Sequence, residues 1–172
     1  MIGAPVQSSL TRSRSARREN PFVTGNYALL DLDDAWVEPG DTNDGPRYER
    51  TPLRDGEVLT SGDLLEVELQ LQSKNDYDYL IFEDLKPSGC EPVEVRSGGK
   101  SGLGVYSNME LRDEKVAFFI DSLPQGRRTL TYRLRAEIPG RFHVLPTNGY
   151  AMYAPEIRTL SDETAFAIRD PE

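Results

Sequence analysis

Apolar and polar positions alternate from Asp63 to Gln72, with Leu65, Val67, Leu69 and Leu71 on one side and Glu66, Glu68, Gln70 and Gln72 on the other. An extended chain points successive side chains to opposite faces, so this period of two predicts a half-buried strand. The same period runs through Leu130, Tyr132, Leu134, Ala136 and Ile138, set against Thr129, Thr131, Arg133, Arg135 and Glu137, and places all five apolar residues on a core face. Two shorter, nearly continuous apolar runs, Tyr79-Leu80-Ile81-Phe82 and Val116 to Ile120, have the look of core strands. The first is closed by the turn residues Lys86-Pro87-Ser88-Gly89, and Pro124-Gln125-Gly126 and Pro139-Gly140 mark further turns. Strands over Arg141 to Leu145 and Thr164 to Ile168 follow by the same logic. Ser97 to Gly102, with Gly98, Gly99 and Gly102, predicts an exposed loop.

At least six strands emerge at short spacing, and no window carries a persistent helical stripe. The expected fold is all-β, an antiparallel β-sandwich of the immunoglobulin or fibronectin type, with strand order left open by pattern alone. The sandwich is expected over 48–170. Residues 21–47, where Tyr27-Ala28-Leu29-Leu30 is followed by Asp31, Asp33, Asp34, Pro39, Gly40, Gly45 and Pro46, predict a linker or irregular extension with room for one strand. Residues 1–20 predict a disordered tail, with Arg12, Arg14, Arg17 and Arg18 among Ser8, Ser9, Ser13 and Ser15. That tail holds no apolar stretch of the roughly 7–15 residues found in a secretory signal.

Charge and cysteine content narrow the function. With 29 acidic against 20 basic residues among 172, the body of the protein repels phosphate backbones and is not expected to bind nucleic acid. No run of about 18 apolar residues is present, so helical membrane insertion is not expected. Cys90 is the single cysteine, which rules out an intrachain disulfide and a thiolate metal cluster.

Motifs for chemistry fail on inspection. Gly99-Lys100-Ser101 ends like a phosphate-binding loop, but Glu94 stands where its first glycine belongs. Asp41, Asn43, Asp44 and Gly45 resemble a calcium loop, yet the glycine comes one position early and Pro52 replaces the bidentate glutamate. His143 is the only histidine and reads as a strand-surface residue. Acidic pairs such as Glu83 with Asp84 read as solvated strand ends, so no catalytic residue, cofactor or metal site is expected. One segment stands out, Asn148-Gly149-Tyr150-Ala151-Met152-Tyr153-Ala154-Pro155-Glu156, which gathers two tyrosines and a methionine between turn residues. Such side chains either fold back over their own core or meet a partner surface.

Three stretches taken together, Asp78 to Glu91, Leu130 to Pro139 and Gly140-Arg141-Phe142 through Met152-Tyr153-Ala154-Pro155-Glu156, resemble the C-terminal macroglobulin-like domain of the bacterial alpha-2-macroglobulin family. The likeness runs over roughly Tyr48 to Asp170. It implies membership of an extracytoplasmic protease trap in which a protease cuts a bait segment and an internal thioester captures it. The domain itself is then a non-catalytic β-sandwich leaning on a thioester-containing macroglobulin domain, and it meets target proteases only indirectly. The resemblance assigns the lid over the thioester to Met152 and Tyr153, with Tyr150 a further interface residue. An acyl thioester exposed to water hydrolyses, and a thioether beside an aromatic ring keeps that water away. The family's Cys-x-Glu-Gln motif is absent here, since Cys90 is followed by Glu91-Pro92-Val93, so no thioester can form on these residues, and the family's thioester domain is in trans or missing. A free-standing β-sandwich interaction or scaffold module is the alternative reading.

Overall fold

A computed structural model describes residues 22–32, 48–93, 98–102 and 105–172. The basic tail of residues 1–20 and the aspartate-rich stretch around Asp41 to Gly45 lie outside the described residues. In chain order the strands are β1 (Phe22–Leu32), β2 (Tyr48–Pro52), β3 (Glu57–Thr60), β4 (Leu64–Ser73), β5 (Tyr77–Leu85), β6 (Cys90–Pro92) and β7 (Gly98–Gly102). They continue as β8 (Val105–Leu111), β9 (Lys115–Leu123), β10 (Gly126–Ala136), β11 (Gly140–Val144), β12 (Asn148–Ala151), β13 (Ala154–Leu160) and β14 (Thr164–Arg169).

Two sheets face each other. One has the order β2-β1-β4-β10-β6, the other β13-β12-β5-β9-β8-β7, and both are antiparallel throughout. The alternation seen in the sequence becomes the division between inside and outside. Leu65, Val67, Leu69 and Leu71 of β4, and Leu130, Tyr132, Leu134 and Ala136 of β10, are buried against Leu80 and Phe82 of β5 and Val116, Phe118 and Ile120 of β9. Phe118 and Tyr132 meet across the sandwich with ring centroids 6.0 Å apart. Each fully buried leucine or phenylalanine stabilises the fold by about 1.5–3 kcal/mol relative to exposure, so these two strand pairs carry most of the hydrophobic term. A small third sheet, β11-β14-β3, includes the parallel pair β14 and β3. Phe166 of its central strand packs against Tyr27 and Phe142 at 6.3 Å each.

The structure alters three expectations. Residues 21–47, which the sequence reads as a linker or irregular extension with room for one strand, hold that strand as β1, but β1 is hydrogen-bonded between β2 and β4, so the sandwich begins well before Tyr48. The aspartates that break the apolar run follow its buried part, Tyr27 to Leu30. The Ser97 to Gly102 stretch, expected as a loop, holds β7, paired antiparallel with β8 from Gly98↔Met109 to Gly102↔Val105. Backbone pairing at a sheet edge needs no apolar side chains, so its glycines hid it. Ile138 is 55% exposed rather than in the core. The β10 ladder ends at Ala136, and the amides of Glu137 and Ile138 both turn to the Gly89 carbonyl, at 2.9 and 3.1 Å.

One buried carboxylate ties the two large sheets together. Asp84 on β5 accepts hydrogen bonds from the Tyr132 hydroxyl at 2.6 Å and from the Thr147 hydroxyl at 2.7 Å. Tyr132 comes from the opposing sheet, and Thr147 is the residue that leads into β12. Gly149, buried within β12, lies so close to Phe82 that a Cβ there would fall 2.5 Å from the ring. The strand that carries the Met-Tyr segment is thus held down tightly on the core.

Candidate functional site

The Met-Tyr segment forms the tip of a hairpin. Ala151 pairs with Ala154, leaving Met152 and Tyr153 as a two-residue turn between β12 and β13. Two-residue hairpin turns usually place a glycine or asparagine at positive φ to match strand twist, but neither turn residue here has one. The register instead shifts between Tyr150 and Ala151, and that irregularity absorbs the mismatch. The two side chains do not fold back over the core: Met152 is 46% exposed and Tyr153 79%. Tyr150, also singled out in the sequence, lies one turn of alternation back on the same side of β12 and is half-buried.

Tyr79 completes the tip, whereas the apolar run it opens predicts a core strand. Its φ of +56° is left-handed, a conformation that a bulky residue adopts only when its surroundings impose it. The Tyr79 carbonyl accepts the Met152 amide at 2.8 Å, and its ring meets Tyr153 edge to face with centroids 5.4 Å apart. An edge-to-face pair contributes about 0.5–1.5 kcal/mol beyond its area, so Tyr153 is braced rather than loose. No local pattern marks Tyr79 for this role. Its partner lies 74 positions away in the chain, and only strand register brings the two together.

The other candidates lie elsewhere and stay apart. Cys90 is fully buried, and loss of solvation pushes its thiol up to about 12, with Lys86 opposing this and Glu91 and Glu137 adding to it. Lys86 donates to the Cys90 carbonyl at 3.3 Å and to Glu91 at 2.8 Å, clamping the turn in which the Cys90 amide bonds the Pro87 carbonyl at 2.9 Å. Phe142 covers this turn so closely that a Cβ on Gly89 would overlap its ring. Strand alternation sends the next residue, His143, the other way and into solvent, away from Cys90. A thiol with so little thiolate near neutrality is expected to be inert. Less than one tenth of Cys90 should react with iodoacetamide in an hour at pH 7.5 under native conditions, and all of it after denaturation, as read by intact mass. Rapid native labelling would contradict the burial.

Among the described residues, no group of three or more His, Cys, Asp or Glu side chains is arranged to hold a metal, and no helix is long and apolar enough to cross a membrane. A cleft of about 640 Å3 runs beside β1 and β4, and among its lining residues Arg50 is paired with Glu66 and Glu68. Among the described residues, Met152, Tyr153 and Tyr79 form a cluster of exposed large apolar side chains gathered at one tip.

Comparison with known proteins supports the fold. The family model described as the bacterial alpha-2-macroglobulin MG10 domain matches residues 38–156. Among solved structures, Salmonella alpha-2-macroglobulin reacted with methylamine superposes with a TM-score of 0.63 at 18% identity, over 93% of this chain and 10% of that one. Trypsin-activated alpha-2-macroglobulin from Escherichia coli gives 0.60 at 19% identity, over 87% and 10%. The native Escherichia coli protein from domain MG7 to the C-terminus gives 0.59 at 20% identity, over 86% and 23%. The chain therefore spans about a tenth of the length of the larger macroglobulins whose fold it shares. A search of curated protein sequences gave no match.

Proposed function

We propose that this chain, which belongs to the bacterial alpha-2-macroglobulin MG10 domain family, is a non-catalytic module of a protease trap that shields the thioester of a neighbouring domain with Met152 and Tyr153. The observation that carries the reading is the hairpin tip. It presents a thioether and an aromatic ring to solvent from the end of a rigid sheet, braced from below by Tyr79. Exposed apolar side chains that touch one another in a contiguous patch, unlike single ones, mark interaction sites.

The chemistry required of a lid is modest. It must exclude water from an acyl thioester while closed and leave once the trap is sprung. A tip of two side chains can seal a small opening and still release, whereas a large dry interface would hold it shut. Tyr150, on the same side of β12, serves as a further contact. The partner is a thioester-containing macroglobulin domain, target proteases are met only through it, and the setting is outside the cytoplasm.

The test is a binding titration of the full chain against a thioester-containing macroglobulin fragment from the same cell. The Met152→Ala, Tyr153→Ala double variant is expected to bind at least about tenfold more weakly than wild type, because central aromatic anchors dominate such interfaces. Equal binding by both forms would remove the hairpin from the interface.

A further inference from the structure

The outer face of the six-stranded sheet is divided in a way an ordinary solvent face is not. Alternation sends Leu80, Phe82, Val116, Phe118, Ile120, Val105 and Met109 inward, so the residues between them point outward. Tyr150 pairs with Ile81 and Ile81 with Phe119, which lays an apolar ridge across three strands, flanked by Asn108 beside Phe119 and Arg158 beside Tyr150. The next row begins with Met152 beside Tyr79. Asp121 stands opposite Tyr79, between the Asp78↔Ser122 and Leu80↔Ile120 pairs, and continuing the Asn108↔Phe119 register by two residues brings Tyr106 to Asp121. Tyr79 is 51% exposed and Tyr106 63%.

Towards the other end of the same face the charged residues are already paired, beside Asn148 and the exposed Leu160. Lys115 holds Glu83 at 2.7 Å, and Arg112 holds Glu110 at 2.8 Å. That half is a self-neutralised solvent surface. In the aromatic half Asp121 is exposed and has no side-chain partner among the described residues.

We propose that the docking surface extends from the hairpin across this aromatic half to Tyr106, and that it receives an apolar patch of the thioester-containing domain carrying a basic side chain opposite Asp121. The identity of the partner rests on the lid reading above. Two features argue for the extension. Even weak, releasable interfaces cover up to about 600 Å2 per partner, which a methionine and a tyrosine at a tip do not supply alone. The aromatic half is also continuous with the tip through Tyr79, which belongs to both. The strained Tyr79 backbone then joins a lid that must move to a face that gives it register, and the uncompensated Asp121 selects the partner by charge.

Tyr106 lies three strands from β12, about 14 Å away, so it can be altered without touching the hairpin. In titrations of the full chain against a thioester-containing macroglobulin fragment, Tyr106→Ala and Asp121→Lys are each expected to weaken binding about tenfold. Unfolding curves should be unchanged, because both side chains are exposed. If both variants bind as wild type while Met152→Ala, Tyr153→Ala is weakened, the extended face is overturned and the lid survives. The reverse pattern supports the face and overturns the lid. A wild-type chain that does not bind the fragment overturns both. Self-association that Tyr106→Ala abolishes would assign the face to a second copy of the chain and also overturn the proposal.

Discussion

Asp84→Ala is expected to destabilise the domain by about 3 kcal/mol or more, read as a shift in the denaturant midpoint at unchanged slope. Asp84 is 1% exposed and receives two hydroxyl hydrogen bonds, one from each side of the β5 strand's environment: Tyr132 on the opposing sheet and Thr147 at the base of the hairpin. Alanine leaves both hydroxyls buried without an acceptor, and each such loss costs about 1–3 kcal/mol. A midpoint within experimental error of wild type would show that water or a rearranged side chain takes over the role.

The same carboxyl should give stability a characteristic pH dependence. Burial raises the Asp84 pKa, and the hydrogen bonds from Tyr132 and Thr147 only partly offset this. A carboxyl whose pKa is higher in the folded chain holds its proton more tightly there than in the unfolded one. Its contribution is therefore most favourable in acid, where both states are protonated, and declines as pH rises from the ordinary carboxylate range through the folded value. Asp84→Asn keeps one acceptor and stays neutral, so it should remove this decline. The Asn variant is expected to gain on wild type as pH rises, and parallel stability curves would contradict the assignment.

The sequence made the strands legible where a face is half-buried. β4 and β10 read directly, because each inward leucine or tyrosine is flanked by charged or polar residues facing out. β7 and β1 were harder for opposite reasons. β7 is held by backbone pairing with almost no side chains to show a period, while β1 is flanked by aspartates that suggest a linker. Asp84 looked like one of many solvated carboxylates, since no local pattern reveals that Tyr132 and Thr147 converge on it. The site was legible in part. Met152 and Tyr153 stand out as apolar residues between turn signals, but Tyr79 reads as the start of a core strand. Its exposure, its left-handed backbone and its contact with Tyr153 arise from how β5 and β12 are aligned.

The largest functional effect is expected on the lifetime of a thioester. If Met152 and Tyr153 cover the reactive bond, water and small amines reach it only while the lid is off, so the rate of loss scales with the uncovered fraction. At a chain concentration about ten times the dissociation constant, roughly nine tenths of the partner is covered and thioester loss should slow about tenfold. The Met152→Ala, Tyr153→Ala double variant, tested at a concentration giving equal occupancy, should lose most of that protection because its tip no longer excludes water. The decisive measurement is the rate of methylamine incorporation into a thioester-containing macroglobulin fragment, alone, with the wild-type chain and with the double variant. The lid account predicts slow incorporation with wild type and near-free rates with the variant, and it is contradicted if wild type and variant protect equally or if neither protects.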